Sequence, residues 1–198
     1  MFPLIETIRL VNGEFNNLEY HVQRMRRAWR ELYSIDEPWD VREVLTNSNQ
    51  PTSGLHKCRL VYDTKVTEIS FEPYHVRGVN SLRMITDDSI QYSHKFRERR
   101  ELESNFKKRG QGDDVLIIKN GHVTDTTYAN IIFKRGGEWF TPSSCLLQGT
   151  MRQWLIDKSK VHVEEIAVAQ IARFEKFKLI NSMLLDEGPE VSVSNIVN

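Results

Sequence analysis

The stretch that decides the fold runs from Asp113 to Arg152. It opens Asp-Asp-Val-Leu-Ile-Ile-Lys-Asn-Gly-His-Val-Thr-Asp-Thr-Thr-Tyr-Ala-Asn-Ile-Ile-Phe and closes Trp139-Phe-Thr-Pro-Ser-Ser-Cys-Leu-Leu-Gln-Gly-Thr-Met-Arg152. Val115 to Ile118 is a short apolar strand. Asn120-Gly121 is a strong two-residue hairpin signal, because both positions of that turn need a positive φ. Val123 to Phe133 reads as the second strand, with an acid, Asp125, and an amide, Asn130, set in it. Arg135-Gly136-Gly137 turns the chain again, and Trp139-Phe140 begins a third strand. Leu147-Gln148-Gly149-Thr150 then leads into a helix over Met151 to Ile156. A glycine at a helix start lets backbone N–H groups approach an anion, and the helix dipole favours it there.

The whole chain has 198 residues, enough for one large or two small domains with a core that needs no staples. Its 27 basic and 27 acidic residues balance, so no net charge recruits nucleic acid or an anionic membrane. Two cysteines, Cys58 and Cys145, make neither a disulfide framework nor a metal cluster, so no metal site is expected. No apolar run is long enough to span a bilayer, and the N-terminus lacks a secretory pattern, so a cytoplasmic protein is expected.

Upstream, Phe2 to Val11 is strand-like, and Asn12-Gly13 turns it back. Leu18 to Tyr33 is an amphipathic helix with Val22, Met25, Trp29 and Leu32 in its apolar stripe and Asn16 or Asn17 as cap. His21 and Arg24 lie one turn apart beside that stripe. Pro38 to Val44 reads as a short helix, and His56 to Tyr62 as a strand that puts Cys58, Leu60 and Tyr62 on one face. Val66 to Pro73 is the returning strand and Ser81 to Thr86 another. A helix opens around Ser93-His94-Lys95-Phe96 and runs to about Arg109. After the Asp113–Arg152 stretch come a strand within Lys158–Val168, a short helix over Gln170–Phe177 with Phe174 and Phe177 in the core, and a strand from Leu179 to Met183.

The frame Gly-x-Val-x-acid-x4-Asn-Ile-x-Phe, then Trp-x-Thr-Pro, then Leu-Leu-x-Gly-Thr-x-Arg resembles the core of the class IV aminotransferases. These are the fold-type IV pyridoxal-phosphate enzymes, which include branched-chain and D-amino-acid aminotransferases and 4-amino-4-deoxychorismate lyases. The resemblance runs from about Glu6 to about Met183. It implies an α+β fold in two domains, a small one over 1–80 and a larger cofactor-binding one over 81–198. The cofactor, pyridoxal 5′-phosphate, would lie in the cleft between them, and the enzyme would be a homodimer acting on a small-molecule amine.

The resemblance also implies roles. Lys95 matches the Schiff-base lysine, whose amine serves as a base when burial and nearby cations such as Arg99 depress its pKa. Asp125 stands where relatives usually have Glu, bonded to the pyridine nitrogen; the residues alone also allow Asp125 to belong to the turn. Arg24, in His-x-x-Arg-Met, matches the phosphate arginine, where the bare pattern also allows a solvated face. Arg99, Leu147, Thr150 and Met151 match cofactor contacts, and Arg152 braces the loop. Asn181-Ser182 resembles a second phosphate-binding turn or is a plain turn. Thr7, Arg9 and Arg59 match the substrate side, with a cross-strand ion pair as the second reading for Arg59.

The chain begins later than its relatives, and the loop after Tyr62 is reduced to the turn Asp63-Thr64-Lys65. Lys95-x-x-x-Arg99, Gly149-x-Met151-Arg152 and Asn181-Ser182-Met183 look closer to the lyase branch. An amino-acid aminotransferase is the first alternative. A non-catalytic relative that binds an anionic ligand is the second.

Overall fold

Alternation in the first strand sets the architecture of the first third of the chain. Leu4, Ile8 and Leu10 are fully buried and their odd-numbered neighbours Thr7 and Arg9 only half so. One side of the strand is therefore core and the other is wetter. The computed structural model describes residues 2–76 and 78–198. The chain divides into two compact units: Met1–Val76 with His94–Glu98, and Arg77–Ser93 with Arg99–Asn198. The reading from sequence drew one boundary near residue 80; here the short segment around Lys95 returns to the first unit.

In the first unit, β1 (Leu4–Val11), β2 (Glu14–Phe15), β3 (Leu55–Tyr62) and β4 (Val66–Pro73) form an antiparallel sheet in the order β2-β1-β3-β4. Helix α1 (Leu18–Tyr33) covers one face. Its Val22, Met25, Ala28 and Trp29 pack against Leu4, Ile8, Cys58, Leu60 and Tyr62. Full burial of each large apolar side chain stabilises by about 1.5–3 kcal/mol, so this face holds the unit together. Asn17 occupies the N-cap of α1, but with φ 50° and no side-chain capping bond; its carbonyl accepts from Tyr20 N–H instead. Helix α2 (Val41–Thr46) starts later than Pro38, because the Asp40 carboxylate caps the N–H groups of Arg42 and Glu43.

Residues 93–99 are not helical. Ile5 N–H donates to the Lys95 carbonyl at 2.9 Å, Arg97 N–H donates to the Pro3 carbonyl at 2.8 Å, and Phe96 bridges to Leu4. The backbone here bonds to the edge of β1 and so cannot close its own helical turn. Phe96 adds its ring to the apolar cluster under α1.

The second unit carries two sheets. In one, β5 (Leu82–Thr86), β6 (Asp114–Lys119), β7 (His122–Val123) and the terminal β13 (Ile196–Val197) take the order β13-β5-β6-β7. Strands β5 and β6 are parallel, so a crossover must join them. Helix α3 (Arg100–Lys107) lies within that connection. In the other, β8 (Asn130–Arg135), β9 (Glu138–Pro142), β10 (His162–Glu164), β11 (Lys176–Ile180) and β12 (Val191–Ser192) take the order β10-β9-β8-β11-β12. Helix α4 (Thr150–Asp157) follows β9. The hairpin turns are as the sequence predicts, with Asn120 and Gly121 at φ 50° and 78° and Gly136 and Gly137 at 58° and 86°.

Two further expectations change. The expected strand over 123–133 is broken: β7 ends at Val123 in one sheet, and β8 begins at Asn130 in the other. The segment 124–129 makes the change of sheet, with Thr124 N–H and the Asp125 carbonyl still bonded to Ile117 of β6. The expected helix over 170–177 is a 3-10 turn at Val168–Arg173; Phe177 sits in β11 opposite Phe133. Phe174 and Phe177 are both buried.

Candidate active site

Glu6 follows the same alternation as Leu4 and Ile8, so the strand drives a carboxylate into the apolar face under α1. It is 0% exposed. Such a charge is tolerated only with partners, and α1 supplies them one turn apart. His21 Nδ1 lies 2.6 Å from Glu6 Oε2. Arg24 Nε–H donates to Oε1 at 2.9 Å, and its Nη2 donates to Oε2. Burial alone would raise the Glu6 pKa; the Arg24 charge and the His21 hydrogen bond outweigh it and bring it down to about 2. Burial pushes His21 below its usual 6.5 against the pull of Glu6, and the charges of Arg24 and Lys95 lower it further. His21 is therefore neutral near pH 7, with Nδ1–H donating to Glu6. Lys95 belongs to the same unit, tied by its carbonyl to Ile5 and close enough for its charge to reach His21. The His94 ring packs against Phe96, with its Nε2 2.9 Å from Glu31 Oε2.

Thr7, Arg9 and Arg59 lie on the opposite face of this sheet from Glu6. Thr7 pairs directly with Arg59 across β1 and β3, and Arg9 stands two residues on, opposite Lys57. Arg59 Nη1 also donates to Glu68 of β4 at 3.3 Å, so the cross-strand ion pair is present.

In the second unit, Asp125 sits in the crossing segment 124–129 rather than in a strand. Its Oδ2 accepts the N–H groups of Leu146 and Leu147, both at 2.9 Å, and its Oδ1 accepts from Asn130 Nδ2 at 2.8 Å. Burial raises its pKa from 3.8 to about 6, against these hydrogen bonds and the charge of Arg152. Asn130 also donates to the Leu147 carbonyl at 2.9 Å, so Leu147 is held from both sides. A Cβ on Gly149 would lie 1.9 Å from Asn130 Oδ1. Only glycine fits where the loop passes over Asn130 to open α4. Thr150 and Met151, both buried, form the first turn of that helix.

Arg152, in the first turn of α4, donates to Thr141 Oγ1 at 3.1 Å and to the Pro142 carbonyl at 2.9 Å, bracing β9 to α4. Arg99 belongs to the second unit, where its guanidinium donates to the Thr127 carbonyl in the same crossing segment. The Asn181 side chain accepts the N–H groups of Met183 and Leu184 at 2.8 and 2.9 Å, so it closes its own turn, with Ser182 inside it. The sequence reading missed Glu6 as a bonding partner. The signal was there: an acid in register with Leu4, Ile8 and Leu10 on an alternating strand must be buried and paired.

Residues 97–185 match the family described as amino-transferase class IV. An uncharacterized protein of Haemophilus influenzae is 33% identical over 92% of this chain and 98% of its own. A putative aminodeoxychorismate lyase of Schizosaccharomyces pombe is 33% identical over 90% of this chain and 85% of its own. The crystal structure of a putative 4-amino-4-deoxychorismate lyase from Haemophilus somnus is 31% identical and superposes with a TM-score of 0.87 over 92% of this chain and 97% of that one. The chain belongs to the class IV aminotransferase family, with the α+β fold of that family. It is a pyridoxal-phosphate-dependent enzyme.

The residues present fit that cofactor in kind. Arg24, held by Glu6 through Nε and Nη2, is a planar guanidinium of the kind that binds phosphate. Among the described residues Asn130 is the donor to Asp125 Oδ1, so this oxygen has a second lone pair for a ring N–H. Helix α4 opens at Gly149, a helix start of the kind that holds phosphate.

Proposed function

We propose that this chain is a lyase of the 4-amino-4-deoxychorismate type, releasing p-aminobenzoate and pyruvate. The observation that carries the reading is identity of 33% and 31%, along nine-tenths of the chain, to two proteins described as putative lyases of that kind. The substrate is a dicarboxylate amine, and the wetter face of the first sheet offers Arg9 and Arg59, with Thr7 two residues from Arg9 in β1 and directly opposite Arg59. These three residues are the proposed substrate contacts.

When bound, pyridoxal phosphate supplies a conjugated ring that takes up the electrons of a carbanion. The chain's own residues do the rest. Lys95 binds the cofactor and, once its amine is free, takes the proton from the substrate carbon that bears nitrogen. Asp125 keeps the ring nitrogen protonated, and Leu147 packs on the ring. Arg24, Thr150, Met151 and the Asn181-Ser182 turn hold phosphate. Arg99 steadies the segment that carries Asp125 through its bond to Thr127. A homodimer, as the family resemblance implies, belongs to the same reading, and light scattering of the purified protein tests it.

The decisive experiment supplies purified protein with pyridoxal phosphate and aminodeoxychorismate, with and without an oxoacid. The expected result is p-aminobenzoate release with no oxoacid present, abolished in Lys95→Ala. Turnover of an amino acid only when an oxoacid is added would replace the lyase by an aminotransferase. No visible absorption band with cofactor, in wild type or variant, would leave a non-catalytic relative.

A further inference from the structure

The Glu6 carboxylate sits where the sequence pattern calls for an apolar side chain. It has no exposure, and it engages two residues of α1 at once. A buried ion pair is not a cheap way to stabilise a sheet–helix contact. Replacing such a pair by apolar residues is often neutral or stabilising, because desolvation offsets the attraction. What a two-point grip provides is geometry. Arg24 carries a long, flexible side chain, yet Glu6 holds it along one edge, Nε and Nη2 against the two carboxylate oxygens. His21 Nδ1, 2.6 Å from Oε2, in turn fixes the plane of the carboxylate.

We infer that Glu6 is a positioning residue for the cofactor phosphate: it holds the Arg24 guanidinium in one plane and one orientation for that phosphate, with His21 fixing Glu6. The inference rests on the reading of Arg24 as the phosphate arginine. Glu6 itself, an anion, does not touch the phosphate. Its effect is to remove the freedom that Arg24 would otherwise lose on binding, which is how preorganisation raises affinity. It also offsets the charge of the part-buried Arg24 before any anion arrives.

The experiment compares pyridoxal phosphate with pyridoxal, which has the same ring and aldehyde but no phosphate. The full-length apoprotein is titrated with each, and binding is followed by absorbance and by calorimetry. Wild type, Glu6→Gln, Glu6→Asp and Arg24→Ala are measured. Glu6→Asp keeps the charge and withdraws the carboxylate by one methylene, so it serves where Glu6→Gln leaves Arg24 uncompensated and does not fold. In the Glu6 variants the affinity for pyridoxal phosphate should fall by about tenfold, the size expected for a charge-assisted hydrogen bond misplaced, with pyridoxal binding unchanged. Arg24→Ala should show the same selective loss, and Arg24→Ala with Glu6→Gln no more than Arg24→Ala alone. If Arg24→Ala loses the preference for the phosphorylated form and folded Glu6→Asp keeps it, the positioning role is overturned and Arg24 remains the phosphate ligand. If Arg24→Ala keeps the preference too, the reading of Arg24 itself fails, and the inference with it.

Discussion

Asn130 Nδ2 lies 2.8 Å from Asp125 Oδ1, and the same amide nitrogen reaches the Leu147 carbonyl at 2.9 Å. One side chain at the start of β8 thus fixes both the acid of the crossing segment and the loop that opens α4. The two residues are five apart in a stretch that alternation alone reads as one strand, yet the chain leaves one sheet and enters another between them.

Asn130→Ala should therefore cost about 1–3 kcal/mol in stability, the penalty for leaving a buried acceptor without its donor. Urea denaturation of the apoprotein measures it. Asn130→Asp should be worse than Ala above about pH 6, where it sets a second charged acid against the ionised Asp125. A loss within 0.5 kcal/mol for Ala would mean that Asp125 is held by the backbone of Leu146 and Leu147 alone.

Gly149→Ala should destabilise by about 1–3 kcal/mol as an overpacking change. Its Cβ would meet Asn130 Oδ1 at 1.9 Å, and the Asn130 amide cannot retreat without breaking its bonds to Asp125 and Leu147. The pair of variants should be less than additive, because Asn130→Ala removes the obstacle.

Asp125 and Glu6 should leave opposite marks on the pH dependence of apoprotein stability. Asp125 has its pKa raised from 3.8 to about 6 by burial, so the folded state holds the proton more tightly. Its contribution is fully present below pH 3.8 and is lost as pH rises through 6, a fall of about 3 kcal/mol. Asp125→Asn should abolish that fall in denaturation curves taken between pH 4 and 7.

Glu6 runs the other way. Its pKa is brought down from 4.5 to about 2, so its contribution is present above pH 4.5 and is lost as pH falls toward 2. The acid limb of the wild-type stability curve should be about 3 kcal/mol steeper than that of Glu6→Gln over this window. Equal limbs in both proteins would mean that Glu6 is protonated, or solvated, in the native state.

The two thiols should react at very different rates. Cys58 is fully buried under α1, and burial pushes its pKa up to about 12, whereas Cys145 is half-buried in the loop before α4. Since the thiolate is the reactive form, a native-state alkylation assay read by mass spectrometry should modify Cys145 first and Cys58 only on unfolding.

The sequence by itself determined the local elements that local chemistry controls. The amphipathic period of α1, the alternation of β3, and the positive-φ turns at Asn120-Gly121 and Gly136-Gly137 are written in neighbouring residues, and each formed as read but for Leu32, read into the apolar stripe of α1 and exposed in the structure. Ordered motifs over Gly121 to Arg152 were enough to place the chain in its family. Tertiary structure alone decided where those elements exchange partners. An alternating apolar run does not say which sheet it joins, so the break between Val123 and Asn130 was invisible until β7 and β8 took different neighbours. Ser93 to Arg99 has helical composition, but its backbone bonds went to the edge of β1, a competition that no window of local sequence contains. The pairing of Glu6 with His21 and Arg24 needed both: alternation that buries the acid, and a helix folded back so that two side chains one turn apart meet it.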